Sequence, residues 1–159
     1  MPKDESTAGI FATYPRPGVT RSQAFMNEVV ATFFLVLCVR SIVDKNNNKP
    51  SNGMEPLFIG LTVFTIGASM GINTGYAINP ARDFGPRLFT YVFNWPNVFS
   101  RGNDKYSHHF WIPIVAPLVG ANLGALLYKY GFELHLSEDN REDNRRDSIK
   151  LEEQKHLSL

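Results

Sequence analysis

The chain has 159 residues, a formal net charge of +1 and a single cysteine, Cys38. One cysteine excludes an internal disulfide and a cysteine-built zinc site, and with near-neutral charge no basic face argues for nucleic acid. The length suits one domain of ordinary size, and its slightly polar mean hydropathy hides a segregation: residues 135–159 are almost wholly polar, whereas long apolar runs fill much of the rest.

Residues 1–20 read as loop, with Pro2, Pro15, Pro17 and two glycines and no helical period. They also lack the charged-then-apolar pattern of a secretory leader. The first apolar segment, AFMNEVVATFFLVLCVRSIV at 24–43, makes about 30 Å of helix, enough for a bilayer core. Glu28 and Arg40 lie near its ends, where an arginine can snorkel. Cys38, among apolar neighbours, reads as a buried thiol. DKNNNKPSNGME at 44–55 is a turn, rich in asparagine with Pro50 and Gly53. A second apolar segment runs from Pro56 to about Asn73, and no charge occurs between Pro56 and Ala81.

GYAINPARDFGPRLFTYVF, residues 75–93, is too charged to span a membrane and too apolar for a plain loop. Asn79 is a good N-cap and Pro80 suits a first helical position, so a short helix is expected to start here and run to about Phe93. Pro86 removes one backbone hydrogen bond and is expected to bend it. Such a helix covers about half a bilayer. Non-helical backbone leading into it is tolerated at that depth only inside protein or along a water-filled cavity. The segment is therefore expected to re-enter the membrane and line a pathway. If Asn79 caps the helix through its side-chain oxygen, its NH2 is left as a donor. The helix dipole and Arg82 add positive charge at the same place.

The third apolar segment, FWIPIVAPLVGANLGALLY at 110–128, again carries no charge, and Trp111, Tyr128 and Tyr130 sit at its ends as interfacial aromatics do. Ala116, Gly120 and Gly124 recur every fourth residue, with Ala121 and Ala125 beside them. Such a stripe lets helices approach closely in lipid; in a soluble helix glycines at that spacing cost stability. Three such segments predict an all-α membrane protein. His108 and His109 adjoin, but no further ligand completes a metal site, so both read as loop residues. The tail at 135–159 alternates acids and bases and reads as a charged helix or a disordered segment. Ser148, after Arg145-Arg146-Asp147, is a candidate phosphorylation site. No nucleophile–base set, phosphate loop or metal cluster argues for an enzyme.

Asn79-Pro80-Ala81-Arg82 resembles the second signature motif of the aquaporin family. Asp83 and the following FGPRLFT resemble its glycerol-conducting branch, the aquaglyceroporins. The likeness runs from TAGIFATYP at 7–15 to about Gly131. It implies the second of the family's two inverted repeats: three transmembrane helices at about 22–43, 56–73 and 110–133, and one re-entrant half helix at 79–93, within a repeat spanning 21–134. It also implies that residues 1–20 are an extracellular loop and 135–159 a cytoplasmic tail. The protein is then a multi-pass protein of the plasma membrane. Its expected partners are glycerol, water, other small neutral solutes and the lipid bilayer, with a homotetramer in full-length form and no cofactor or nucleic acid.

The resemblance also assigns residues. Arg82 matches the arginine of the narrowest point, and Tyr76 an aromatic that contacts the carbon backbone of glycerol. Gly67 stands where water-selective relatives carry histidine and leaves more width. Asp83, Arg87, Pro113 and Ile114 fall where the glycerol branch differs from the water branch. Glu28 matches a buried glutamate that holds the loop before the half helix through backbone N–H groups. On the residues alone, plainer readings stay open: Tyr76 as interfacial, Gly67 as a packing glycine, Asp83 and Arg87 as an i,i+4 pair, Glu28 as a helix-end residue facing headgroups. The sequence departs from the family at VFNWPNVFSRGND, where Asn94 and Pro96 replace glycines. Only the second repeat is matched. The function implied is a passive channel for glycerol and water, of which this chain supplies half the pore. The alternative is a truncated, non-conducting subunit that binds and retains or inhibits full-length channels.

Overall fold

The computed structural model describes residues 2–48, 50–51, 53–101, 108–136, 145–146 and 149. Ser148 and most of the tail lie outside the described residues. Among the described residues all regular structure is helical.

Helix α1, Glu5–Ala8, is one turn inside the segment that the prolines and glycines had read as loop. A reciprocal cap builds it: Thr7 N–H donates to Asp4 Oδ1 at 2.9 Å, and Asp4 N–H donates to Thr7 Oγ1 at 3.3 Å. Helix α2, Arg21–Val43, starts on a second reciprocal cap between Thr20 and Gln23. Helix α3, Glu55–Thr74, has Pro56 in its first turn, where the missing N–H costs nothing. It stops at Gly75, whose φ of 82° reverses the chain while its N–H still donates to Gly71 O at 2.9 Å. Helix α4, Pro80–Val92, has 13 residues, about 20 Å, too short to cross a bilayer. His109–Trp111 form a 3-10 turn that leads into α5, Ile112–Tyr128, and α5 runs on through a π turn at Lys129–Glu133. His109 is thus not a loop residue: it opens this turn and is only 2% exposed.

Three helical stretches, Arg21–Val43, Glu55–Thr74 and His109–Leu136, are long and apolar enough to cross a membrane. Their large apolar side chains point outward rather than into a core; Phe64, Ile72 and Leu118 are 72%, 65% and 55% exposed. Many of the inner contacts belong to small and polar groups, with Val29, Ile66, Ile112 and Tyr128 buried among them. Helix α2 packs most extensively on α5. Along α5 the buried residues Ile112, Ala116, Gly120, Gly124 and Tyr128 recur every fourth position. A Cβ at Gly120 would stand 2.2 Å from the Val29 carbonyl oxygen, and one at Gly124 2.5 Å from that of Phe33. The two backbones therefore touch directly, as small residues permit in lipid. At the far end of this pair the Tyr128 hydroxyl donates to Asp44 Oδ2 at 2.8 Å, and Arg40 pairs with Glu133. These contacts fix α2 against α5, and α3 also packs on α2 and delivers the Gly75 turn to the start of α4.

Candidate functional site

The site is the turn between α3 and α4 together with the first turn of α4. Gly75, Tyr76 and Ile78 all have positive φ, of 82°, 42° and 44°. Glycine adopts such angles freely; tyrosine and isoleucine do so only when their surroundings impose it. The Glu28 carboxylate, fully buried on α2, imposes it here. Its Oε1 accepts from Ala77 N–H at 3.0 Å and from the Thr74 hydroxyl at 2.6 Å; its Oε2 accepts from Ile78 N–H at 2.8 Å. A buried carboxylate thus satisfies two backbone donors that an irregular turn would otherwise leave unmet. Glu28 faces this turn and no headgroup.

Beyond the turn Asn79 is extended and caps α4. Its Oδ1 accepts from Ala81 N–H at 2.9 Å and Arg82 N–H at 3.3 Å. That use of the oxygen leaves the amide NH2 as the group Asn79 can offer outward. Asn79, Ala81 and Arg82 are exposed and Pro80 is half-buried, so the tip of α4 is an open face of this chain. The Arg82 guanidinium lies 5.9 Å from the centre of the Tyr76 ring. The ring itself lies along α3. A Cβ at Gly67 would stand 2.8 Å from Tyr76 Cζ, and one at Gly71 would stand 2.8 Å from Cδ1. Two glycines one turn apart therefore form a bed for the ring. The width that glycine leaves at position 67 is occupied by Tyr76. Gly67, Tyr76, Asn79 and Arg82 come together at one place.

Asp83 and Arg87 do not join them. Both are fully buried on the other face of α4 and pair through Arg87 Nε and Asp83 Oδ1 at 2.8 Å. Arg87 Nη2 donates to Asp83 Oδ2 at 3.1 Å and to Thr13 O at 2.6 Å, and Nη1 donates to Val98 O at 2.9 Å. Thr13 returns two bonds to Asp83 Oδ2, from its N–H at 2.7 Å and its hydroxyl at 2.6 Å. The Tyr14 ring covers the Arg87 guanidinium at 4.6 Å. The pair ties the N-terminal loop and the segment after α4 to the half helix. Pro113 is buried and Ile114 half-buried in the first turn of α5. Thr13, Asn27, Gly71, Thr74 and Val98 were not read from the sequence as parts of this region. Their partners lie far along the chain, 70 residues away for Thr13 and 46 for Thr74; only Gly71, one helical turn from Gly67, carried a local signal.

Three membrane-length helices and a polar-tipped half helix define an integral membrane protein of the re-entrant-helix type. Residues 1–128 match the family model of the major intrinsic proteins, and the chain belongs to that family. It is 45% identical to human aquaporin-10 over 132 residues, covering 82% of this chain and 42% of that protein. It is 49% identical to rat aquaporin-7 over 125 residues, covering 78% of this chain and 45% of that one. The X-ray structure of the aquaglyceroporin from Plasmodium falciparum superimposes with a TM-score of 0.67 at 33% identity, covering 74% of this chain and 48% of that chain. The chain thus spans less than half the length of the relatives it matches. It is an all-helical, multi-pass membrane protein with an aquaglyceroporin-like fold.

Proposed function

We propose that this chain supplies half the wall of a passive channel for glycerol and water. The observation that carries the reading is the convergence of an aromatic face, a guanidinium and a capped asparagine at one open tip: Tyr76, Arg82 and Asn79. Glycerol carries a hydrocarbon edge and hydroxyl oxygens. The Tyr76 ring suits the first, and the Arg82 and Asn79 N–H groups suit the second. The positive end of the α4 dipole and the Arg82 charge oppose cations, as in aquaporin-type pores. No chemical step is needed, and the reading is of a transporter rather than an enzyme. Similarity to aquaporin-7, aquaporin-10 and a named aquaglyceroporin supports it.

An open tip needs a second wall. Arg82 facing lipid would cost several kcal/mol, so the pore is complete only with the missing repeat. In the complete assembly Gly67, Tyr76 and Arg82 frame the narrowest point, Asn79-Pro80-Ala81 forms its inner edge, and Asp83, Arg87, Pro113 and Ile114 brace it. Residues 1–20 lie outside the cell and 135–159 in the cytoplasm of a plasma-membrane homotetramer. A second reading is favoured by the same open face: the chain docks on full-length channels and retains or inhibits them.

The test is stopped-flow glycerol and water permeability of vesicles holding the chain alone, the chain with a separately supplied first repeat, or the chain with a full-length relative. Flux gained only with the first repeat supports the channel half. Loss of the relative's own flux supports the inhibitory subunit. Neither effect overturns both readings.

A further inference from the structure

Behind Glu28 stands a chain of hydrogen bonds with one possible direction. Asn27 Nδ2 donates to the Met70 carbonyl oxygen at 3.2 Å, and a carbonyl only accepts. That contact fixes which end of the Asn27 amide is the NH2. Its Oδ1 consistently accepts from Asn73 Nδ2 at 3.2 Å. The same NH2 lies 2.9 Å from Thr74 Oγ1, which must therefore accept from it. A hydroxyl has one proton, and with an amide donor on its lone pair Thr74 can direct that proton only to Glu28 Oε1, 2.6 Å away. Thr74 is 0% exposed and Asn27 is buried, so water does not substitute for either partner.

We infer that Thr74, oriented by Asn27, is the positioning residue of the strained turn. Its hydroxyl pins Oε1 of Glu28 so that the two carboxylate oxygens meet the Ala77 and Ile78 N–H groups separately. Tyr76 stands between Thr74 and Ala77 with a φ of 42°. Releasing one end of the clamp lets this residue relax toward ordinary backbone angles, and its ring then leaves the Gly67–Gly71 bed. The importance of this for permeation rests on the channel reading above. The clamp itself does not.

Amide hydrogen exchange on the full chain in bicelles tests it. Thr74→Val keeps the shape and removes the hydroxyl. It is expected to speed exchange of the Ala77 and Ile78 amides by about tenfold, the size of one lost hydrogen bond to a charged group. Amides in the middle of α2 are expected to keep their protection. Thr74→Ser restores the hydroxyl and is expected to return both amides to within about twofold of the parent. Thr74→Ala carries the same test if valine does not fit. Unchanged Ala77 and Ile78 exchange in the valine or alanine variant overturns the inference; so does equal acceleration throughout α2, which marks general destabilisation, or failure of serine to restore protection. In a conducting assembly the valine variant is also expected to change the ratio of glycerol to water flux, with serine restoring it. Absence of any flux in the parent counts against the channel reading alone, and the exchange result still decides the role of Thr74.

Discussion

Removing Arg87 is expected to cost far more than removing an ordinary helix-surface arginine. Arg87→Met deletes two bonds to Asp83, one to Val98 O and one to Thr13 O, all buried. It leaves the Asp83 carboxylate fully buried with only the two Thr13 donors, both on Oδ2. Breaking a buried pair from one side costs about 3–5 kcal/mol because the surviving charge is stranded. Arg87→Lys keeps the charge, but an ammonium cannot reproduce the planar fork that reaches Asp83, Val98 and Thr13 together, and about 2 kcal/mol of loss is expected. Asp83→Leu combined with Arg87→Met removes both charges and is expected to recover much of the single-variant loss. Reversible unfolding of the full chain in mixed micelles measures all three. A loss below about 1 kcal/mol for Arg87→Met, or a double variant as unstable as the sum of the singles, refutes the reasoning.

Gly120→Ala is expected to destabilise the α2–α5 pair more than Gly124→Ala, since its Cβ meets a carbonyl oxygen at 2.2 Å rather than 2.5 Å; overpacking of this kind costs about 1–3 kcal/mol, and the same unfolding assay reading the reverse order counts against direct backbone contact. Gly67→His is expected to lower glycerol flux of a complete assembly far more than water flux, because the imidazole displaces the Tyr76 ring from its bed; equal loss of both solutes contradicts this placing of Gly67. A thermal-stability cycle is expected to find Gly71→Ala harmful beside Tyr76 and nearly harmless in Tyr76→Ala, and additivity in that cycle denies the contact. Asn79→Asp replaces the outward amide donor with an acceptor, so cation leak through the assembly is expected to rise, as conductance measurements can check.

Local patterns carried the sequence reading far. The Asn79 cap, the i,i+4 pairing of Asp83 with Arg87 and the small-residue stripe of α5 each depend on residues within about one turn. What stayed hidden depends on chain distance. Thr13 approaches Asp83 only because the N-terminal loop folds over the Gly75 turn, and Val98 approaches Arg87 only after the chain leaves α4. Gly67 was legible as space, but the tenant of that space, Tyr76, was not, since a ring nine residues on reaches it only through the unusual backbone at 75–78. The α1 turn and the burial of His109 were likewise misjudged from short polar contexts whose caps and neighbours lie outside any helical period.

The placement of partners along the chain sets a problem of timing. Helix α2 is made before its partners: Glu28 finds its donors only when residues 74–78 exist, and the ridge at Val29 and Phe33 meets its glycines only at 120 and 124. At about 5–20 residues per second of synthesis, the second interval alone lasts several seconds. During it a carboxyl group and a bare backbone ridge must be sheltered by something other than their final neighbours. Insertion of α2 into the bilayer is therefore expected to be provisional, with the helix held at the lateral edge of the insertion machinery until α5 emerges to seal it.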